Sequence, residues 1–259
     1  MKRVRRVVAA IVLSSASLLA FAPAAAVAQD AAKKPASVTP VPKSHPEKPD
    51  VEKGFLKRHE GFLKDKEEAL KNGPVDLLFV GDSITDAWRR GEQNKLFKER
   101  WGKHNPLNLG IGGDRTQHVL WRLDNGEVDG IKPKVTVLMI GTNNLGNKES
   151  PEDTILGVKA VVAKLREKLP ETKILLLAVF PRGEKADNPY RAQIKQVNDA
   201  ISQLDDGGKH VKYLDIGDKF LTEDKTLTKE VMPDALHPNE KGYQIWADAI
   251  QPTLDEMMK

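Results

Sequence analysis

Short, almost uninterrupted aliphatic runs, each closing at a turn residue, constrain the fold of this chain more than any other feature. The runs cover residues 75–80, 135–140, 174–180 and, more weakly, 211–216, with a candidate fifth at 107–109. Gly81 and Gly141 close the first two runs, and a proline interrupts the third after Phe180. Aliphatic runs of this length, without alternation, are typical of parallel strands that are buried on both faces.

Helix-like segments separate these runs. Pro151–Leu169 places Ile155, Val158 and Val162 on one helical face, and Ser150 before Pro151 suits a helix start. Further helices are predicted at 52–71, 188–204 and 240–257. The alternation predicts a three-layer α/β sandwich, in which ligands bind beyond the carboxyl ends of the strands.

The first fifty residues have a different composition from the rest. A basic start, an apolar stretch and the small residues that end at Ala28 predict a cleaved signal peptide over 1–28, with an uncleaved membrane anchor as the alternative. Residues 29–50 hold five prolines and no large apolar cluster, which predicts a disordered linker. The remaining 51–259 have the length of one domain. We therefore expect a periplasmic or secreted protein with no membrane span after cleavage.

The net charge of +4 belongs to the predicted signal peptide. The chain has 41 basic and 37 acidic residues, and residues 1–28 contain four basic residues and no acidic one, so 37 of each remain. This balance gives no argument for a nucleic-acid partner or an anionic membrane surface. The chain has no cysteine, which excludes disulfides, thiolate chemistry and an acylated cysteine.

Three polar motifs follow predicted strands. Ser83 lies two residues after Gly81, where a helix is about to start, although this stretch also suits a simple helix cap. Gly113 ends a glycine-rich loop whose backbone N–H groups can point at a ligand, or which is a plain turn. Asn143 can donate a hydrogen bond to a developing oxyanion, or is a turn residue. Each motif alone is weak evidence.

A fourth motif precedes the last predicted helix. Asp234 and His237 are three residues apart, a spacing that lets the carboxylate orient the imidazole while its other nitrogen faces Ser83. Both residues are also ordinary in loops and caps. The joint occurrence of all four motifs at one sheet edge favours a serine hydrolase, with Asp82 and Asp114 as supporting hydrogen-bonding residues. No HExxH motif, cysteine pair or other metal-ligand spacing occurs, so we expect no metal and no cofactor.

These residues resemble the blocks of the GDSL/SGNH hydrolase family. The similarity is carried by Ser83, Gly113, Asn143 and the Asp234–His237 pair and extends over roughly 55–255. Within the family, the chain is similar to the catalytic subunits of platelet-activating factor acetylhydrolase Ib. The resemblance implies a flavodoxin-like five-stranded parallel sheet and hydrolysis of esters with short acyl groups. It also implies Ser83 as nucleophile, activated by Asp234 and His237, with an oxyanion hole formed by Ser83, Gly113 and Asn143. A homodimer rests on the resemblance alone.

The expected activity is removal of short acyl groups, above all acetyl, from a carbohydrate or another small ester through an acyl-enzyme. The family relatives are intracellular animal enzymes, whereas this chain carries a predicted export signal. Because of this difference, we do not assign the substrate of those relatives to this chain. Two alternatives stay open: a lysophospholipase or thioesterase acting on longer acyl chains, and a carbohydrate-binding protein with a degenerate site.

Overall fold

Five parallel strands form one sheet in the computed structural model, which describes residues 34–259. The sheet has the order β2-β1-β3-β4-β5, and every neighbouring pair is parallel. The strands are β1 Leu77–Gly81, β2 Leu107–Gly110, β3 Val135–Met139, β4 Lys173–Leu177 and β5 Val211–Leu214. The predicted five-stranded parallel sheet is confirmed.

Helices cover both faces of the sheet. In the described part of the chain they are α1 Asp50–Lys71, α2 Ser83–Asp86, α3 Gly91–Trp101, α4 Thr116–Asp124, α5 Thr142–Gly146, α6 Pro151–Lys168, α7 Pro189–Ser202 and α8 Glu240–Met257. The apolar core on one face receives side chains from α1, α4, α6 and α7, and the core on the other face from α3 and α8. The three-layer α/β sandwich is therefore also confirmed, and α3, α4 and α5 are helices that the sequence analysis did not predict.

The central strand β1 explains why the aliphatic runs do not alternate with polar residues. Leu78 and Val80 belong to the core under α1 and α4, whereas Leu77 and Phe79 belong to the core under α3 and α8. Because successive side chains of a strand point to opposite faces, a strand that is covered on both sides needs apolar residues at every position.

The strand ladders are shorter than the apolar runs that predicted them. Val179 is buried but lies beyond the end of β4, because β5 stops pairing at Leu214. The side chain of Asn198 on α7 takes over, accepting from the Val179 N–H at 2.8 Å and donating to its carbonyl at 3.0 Å. The third run therefore stays buried without continuing the sheet.

The segment before α1 differs from the sequence prediction. Residues 34–50 were expected to be a disordered linker, but Ser37 is fully buried and its carbonyl accepts from Thr116 Oγ1 at 2.8 Å. A Cβ at Gly157 on α6 would lie 3.0 Å from Ser37 Cβ, so Ser37 can pack this closely against α6 only because Gly157 has no side chain. Val41 N–H also donates to the Gln117 carbonyl at 3.3 Å. Small residues and backbone hydrogen bonds hold the segment, and composition cannot reveal such contacts.

The predicted signal peptide, residues 1–28, and the first linker residues, 29–33, lie outside the described residues. In residues 34–259, no helix has both the length and the apolar character that a bilayer crossing requires.

Candidate active site

The turn after β1 presents Ser83 at the start of α2. Gly81 approaches its neighbours so closely that an added Cβ would lie 2.1 Å from Thr85 Oγ1 and 2.5 Å from the Met139 carbonyl oxygen. Asp82 caps α2, because its Oδ1 accepts from Ile84 N–H at 3.0 Å. The helix cap foreseen for this stretch therefore exists, but Asp82 provides it. The Ser83 hydroxyl is consequently left for another partner.

That partner is His237. The Ser83 Oγ lies 2.9 Å from His237 Nε2, and His237 Nδ1 lies 2.6 Å from Asp234 Oδ2. Since a carboxylate only accepts hydrogen bonds, Nδ1 carries the proton and Nε2 is free to accept from the serine hydroxyl. The structure thus joins three sequence-predicted residues in one hydrogen-bonded chain. Ser83 and His237, which are in contact in this chain, lie 154 positions apart in the sequence.

The loop that carries Asp234 and His237 is internally braced. Asp234 Oδ1 accepts from the backbone N–H groups of Leu236 at 3.1 Å and His237 at 2.7 Å. Partial burial of the Asp234 carboxyl opposes its charge. The hydrogen bonds from the His237 ring and backbone outweigh this effect and hold the pKa of Asp234 below its usual value. Asp234 therefore stays ionised and keeps the imidazole oriented.

Tyr243 docks the loop and α8 against the serine turn. Its hydroxyl donates to the Ile84 carbonyl at 2.6 Å, and its ring packs edge-on against Trp88, with centroids 4.5 Å apart. Both aromatic side chains are fully buried. The separation between Ser83 and His237 thus rests on packing between α2 and α8, which no local pattern in the sequence discloses.

The glycine loop passes beside the serine. A Cβ at Gly112 would lie 3.9 Å from Ser83 Cβ, and Gly113 has a left-handed backbone with φ of 73°. Among residues 34–259, neither the Ser83 N–H nor the Gly113 N–H donates to a protein acceptor. Asn143 Nδ2 donates to the Asp114 carbonyl at 2.9 Å, so the Asn143 side-chain amide contacts the residue that follows Gly113. Two backbone donors and one side-chain amide thus lie at or near the turn that carries Ser83.

A buried ionic network supports this loop from behind. Arg122 Nε donates to Asp114 Oδ2 at 2.9 Å, and its Nη1 pairs with Glu127, whose other oxygen lies 2.8 Å from His59 Nδ1. Burial raises the pKa of Asp114 to about 7 even though Arg122 and Lys43 favour its charged form. The network ties α1 and α4 to the glycine loop, and it assigns Arg122 a structural role.

Asp82 is the second buried carboxyl beside the serine. It is fully buried, its Oδ2 has no hydrogen-bond partner among residues 34–259, and burial raises its pKa to about 7. The N–H of Ile84 and the Arg182 guanidinium act in the opposite direction, and Asp114 reinforces the rise. Asp82 therefore changes protonation near neutral pH without touching the hydroxyl of Ser83.

Lys43 and Arg182 are near the site but were not singled out from the sequence. Lys43 Nζ donates to the Gly112 carbonyl at 2.5 Å, and Arg182 Nη1 donates to the Thr142 carbonyl at 3.1 Å. Arg182 follows β4 at the carboxyl edge of the sheet, and this position alone could have marked it as a candidate. Lys43 lies in a proline-rich segment that carried no such signal.

In residues 34–259, the structure contains no cluster of three or more histidine, aspartate or glutamate side chains placed to hold a metal ion.

Comparison with known proteins places these features in a family. A sequence profile of the GDSL-like lipase/acylhydrolase family matches residues 79–245. Human platelet-activating factor acetylhydrolase IB subunit alpha1 is 35% identical over 189 residues, which cover 73% of this chain and 78% of the relative. The alpha2 subunit of Rattus norvegicus is 37% identical over the same shares of the two chains.

Solved structures share the fold at lower identity. A GDSL-like lipase from Bacteroides thetaiotaomicron has a TM-score of 0.60 and 18% identity, covering 76% of this chain and 98% of that one. The acetyl xylan esterase AlAXEase has a TM-score of 0.58 and 23% identity, covering 69% and 98%. These similarities are similarities of fold.

Proposed function

The chain belongs to the GDSL-like lipase/acylhydrolase family, and from this premise we propose that it is a serine ester hydrolase that removes short acyl groups, in particular acetyl, from small esters. The observation that carries the proposal is the chain of hydrogen bonds from Ser83 Oγ through His237 to Asp234. A serine hydroxyl is a weak nucleophile until an adjacent base takes its proton, and His237 Nε2 lies within reach to do so.

The proposed reaction proceeds in two halves. Ser83 Oγ attacks the carbonyl carbon of the ester while His237 Nε2 takes the hydroxyl proton, and that proton then passes to the departing alcohol oxygen as the ester C–O bond breaks. Water attacks the acyl-serine next, with its proton going to His237, and the carboxylic acid leaves as Ser83 regains its proton. Asp234 stabilises the imidazolium in both halves.

The negative oxygen of each tetrahedral intermediate needs hydrogen-bond donors. The backbone N–H groups of Ser83 and Gly113 and the side chain of Asn143 supply them in this proposal. Losing one such donor typically lowers kcat about 10²–10³-fold. The hydrogen bond from Asn143 to the Asp114 carbonyl supports this role, because it fixes the amide beside Gly113 before substrate arrives.

The preference for acetyl rests on the relatives. The curated relatives are named acetylhydrolases, and a protein of the same fold is named an acetyl xylan esterase. Acetylated carbohydrates are therefore the natural substrates to test first.

The decisive experiment compares hydrolysis of p-nitrophenyl acetate, butyrate and octanoate by the purified protein and by Ser83→Ala. We expect the acetate to be cleaved fastest, and the variant to lose at least about 10⁴-fold in kcat while keeping its thermal unfolding curve. A folded Ser83→Ala protein with near-wild-type activity would refute the serine assignment. Preference for octanoate would refute the short-acyl assignment in favour of a long-acyl hydrolase, and no cleavage by the folded wild type would favour a degenerate binding protein.

The proposal includes export, with cleavage after Ala28 and a final location in the periplasm or outside the cell. The basic start and the apolar stretch of residues 1–28 support it. N-terminal sequencing of the protein recovered from its native host should give Gln29 as the first residue. Recovery of the uncleaved chain from the cytoplasm would contradict export.

A further inference from the structure

A basic cleft adjoins the glycine loop. It has a volume of about 400 Å³, and Gly113 and Asn143 form part of its wall. Of the described residues that line it, four are cationic and none is an aspartate or glutamate; the cations are Lys43, Lys48, Arg115 and Arg182. This charge is concentrated next to the donors that would hold the oxyanion.

Three of the four cations form no ion pair within the described part of the chain. Arg115 pairs with Glu149 at 2.7 Å, whereas Lys43, Lys48 and Arg182 form no ion pair with any residue in 34–259. Lys48 is exposed, whereas Lys43 and Arg182 are half-buried. Since a half-buried cation is normally paired, these two unpaired cations at one cleft point to a negative ligand.

Two of these cations are nevertheless held in place by neutral groups. Lys43 Nζ donates to the Gly112 carbonyl, and Arg182 Nη1 donates to the Thr142 carbonyl while its guanidinium lies 4.3 Å from the centre of the Tyr190 ring. An ammonium has three N–H donors and a guanidinium five, so each retains donors for a ligand. Arginine in particular matches phosphate and carboxylate with two parallel hydrogen bonds.

The positive charge of the cleft acts on groups that adjoin Ser83 and Gly113. Burial is the largest cause that lowers the pKa of His118, in the cleft wall, to about 3, and the cations Arg115 and Lys43 are the next largest. Arg182 acts in the same sense on Asp82, which precedes Ser83, and Lys43 acts on Asp114, which follows Gly113. A negative charge on a substrate in the cleft would therefore be stabilised close to the site of reaction.

We propose that this cleft is a subsite for an anionic group, a phosphate or a carboxylate, on the alcohol part of the ester substrate. The proposal rests on the ester-hydrolase function proposed above and narrows its substrate class. The alcohol part is assigned because a short acyl group has no room for a charged group. Arg182 and Lys48 bind the anion, and Lys43 both contributes charge and holds the glycine loop through Gly112.

The test compares three acetyl esters on one scaffold: acetylated glucose, acetylated glucose 6-phosphate and acetylated glucuronate. We expect kcat/KM for at least one anionic ester to exceed that for the neutral ester by about tenfold, the effect of one additional charge-assisted hydrogen bond. The phosphate and the uronate esters distinguish the two sources of charge. The preference should also shrink as salt rises from about 0.05 M to about 0.5 M, because ions screen exposed charges.

Variants locate the effect. Arg182→Gln and Lys48→Gln should each reduce the ratio of anionic to neutral kcat/KM about threefold to tenfold, and Arg182→Lys should restore part of the loss. Lys209→Gln is the matched control, because it removes one exposed lysine just before β5, at the opposite edge of the sheet. An anionic-to-neutral ratio near one, or a ratio that falls equally in the control, would overturn the subsite.

Failure of the subsite and failure of the ester-hydrolase function give different results. Cleavage of neutral p-nitrophenyl acetate that depends on Ser83, without any anion preference, refutes only the subsite. If no ester is cleaved, calorimetry of glucose 6-phosphate and glucose binding to the wild type and Arg182→Gln still decides. Tighter phosphate binding that is lost in the variant supports the subsite, and equal binding of both sugars refutes it.

Discussion

The carboxyl groups of Asp82 and Asp114 are the unusual residues of this site. Both are buried beside the reactive turn, and burial raises the pKa of each to about 7. Neither touches the hydroxyl that would react, so their effect is on the stability of the turn and on the local field. The site therefore combines an exposed Asp234, whose pKa is lowered, with two buried carboxyls whose pKa values burial raises towards neutral pH.

This arrangement predicts a pH-dependent stability. Between pH about 4 and about 7 the folded protein holds a proton on Asp82 that the unfolded chain has released, so the free energy of unfolding falls as pH rises through this range. In Asp82→Asn this proton is absent, and the slope should weaken by up to about 1.4 kcal/mol per pH unit. Urea unfolding of both proteins at several pH values between pH 5 and pH 8 gives the two slopes, which should differ by at most about one proton. Identical slopes would show that Asp82 is ionised throughout.

At the scale of elements, the site depends on how closely β1, β3 and α2 approach one another. Gly81 sits where α2 folds back on the sheet, and an added Cβ would meet both the Thr85 side chain and the Met139 carbonyl within 2.5 Å. The Met139 carbonyl belongs to β3, so it cannot move away from an added Cβ without disturbing that strand. The elbow that presents Ser83 is therefore a product of strand and helix packing as much as of its own sequence.

Two glycine substitutions distinguish the close packing around Gly81 from the general effect of replacing glycine by alanine on backbone flexibility. Gly81→Ala should lower stability by about 1–3 kcal/mol and displace the serine turn, reducing esterase activity. Gly54→Ala is the contrasting variant, because Gly54 is exposed on α1 with nothing within 4 Å of the added Cβ, and it should raise stability by about 0.5–1 kcal/mol. Thermal unfolding and kcat/KM of both variants provide the measurement. A neutral Gly81→Ala would contradict the close approach.

At the scale of the whole molecule, the domain begins well before the first long helix. Lys34–Lys259 form one compact unit, and the segment before α1 packs on α4 and α6 through Ser37. The same segment supplies Lys43 and Lys48 to the basic cleft. A part of the chain with the composition of a linker thus belongs to both the fold and the site.

Truncation tests the role of this segment. A chain that starts at Asp50 should be less stable than one that starts at Gln29 by at least about 1 kcal/mol, or about 2–4 °C in Tm, because it loses the Thr116–Ser37 hydrogen bond and the contact with Gly157. Differential scanning calorimetry of the two proteins is the measurement. Equal melting temperatures would mean that residues 29–49 act as a linker after all.

The sequence by itself determined the fold class and pointed to the candidate residues that the structure brings together. Aliphatic runs separated by amphipathic segments predict a buried parallel sheet because strands covered on both faces need apolar residues throughout. Ser83, Gly113 and Asn143 follow predicted strands at the carboxyl edge of the sheet, where ligands bind, and the spacing of three allows Asp234 to pair with His237. These are local properties, which a linear pattern can carry.

Only the tertiary structure decided which distant residues meet. Ser83 reaches His237 because Tyr243 and Trp88 pack α8 against α2, and Lys43 reaches the glycine loop because Ser37 fits against Gly157. The charge balance of the sequence gave no sign of a basic cleft, since residues 29–259 contain 37 cations and 37 anions. Folding brings four of these cations to one cleft, because long-range contacts, rather than composition, set which charges become neighbours.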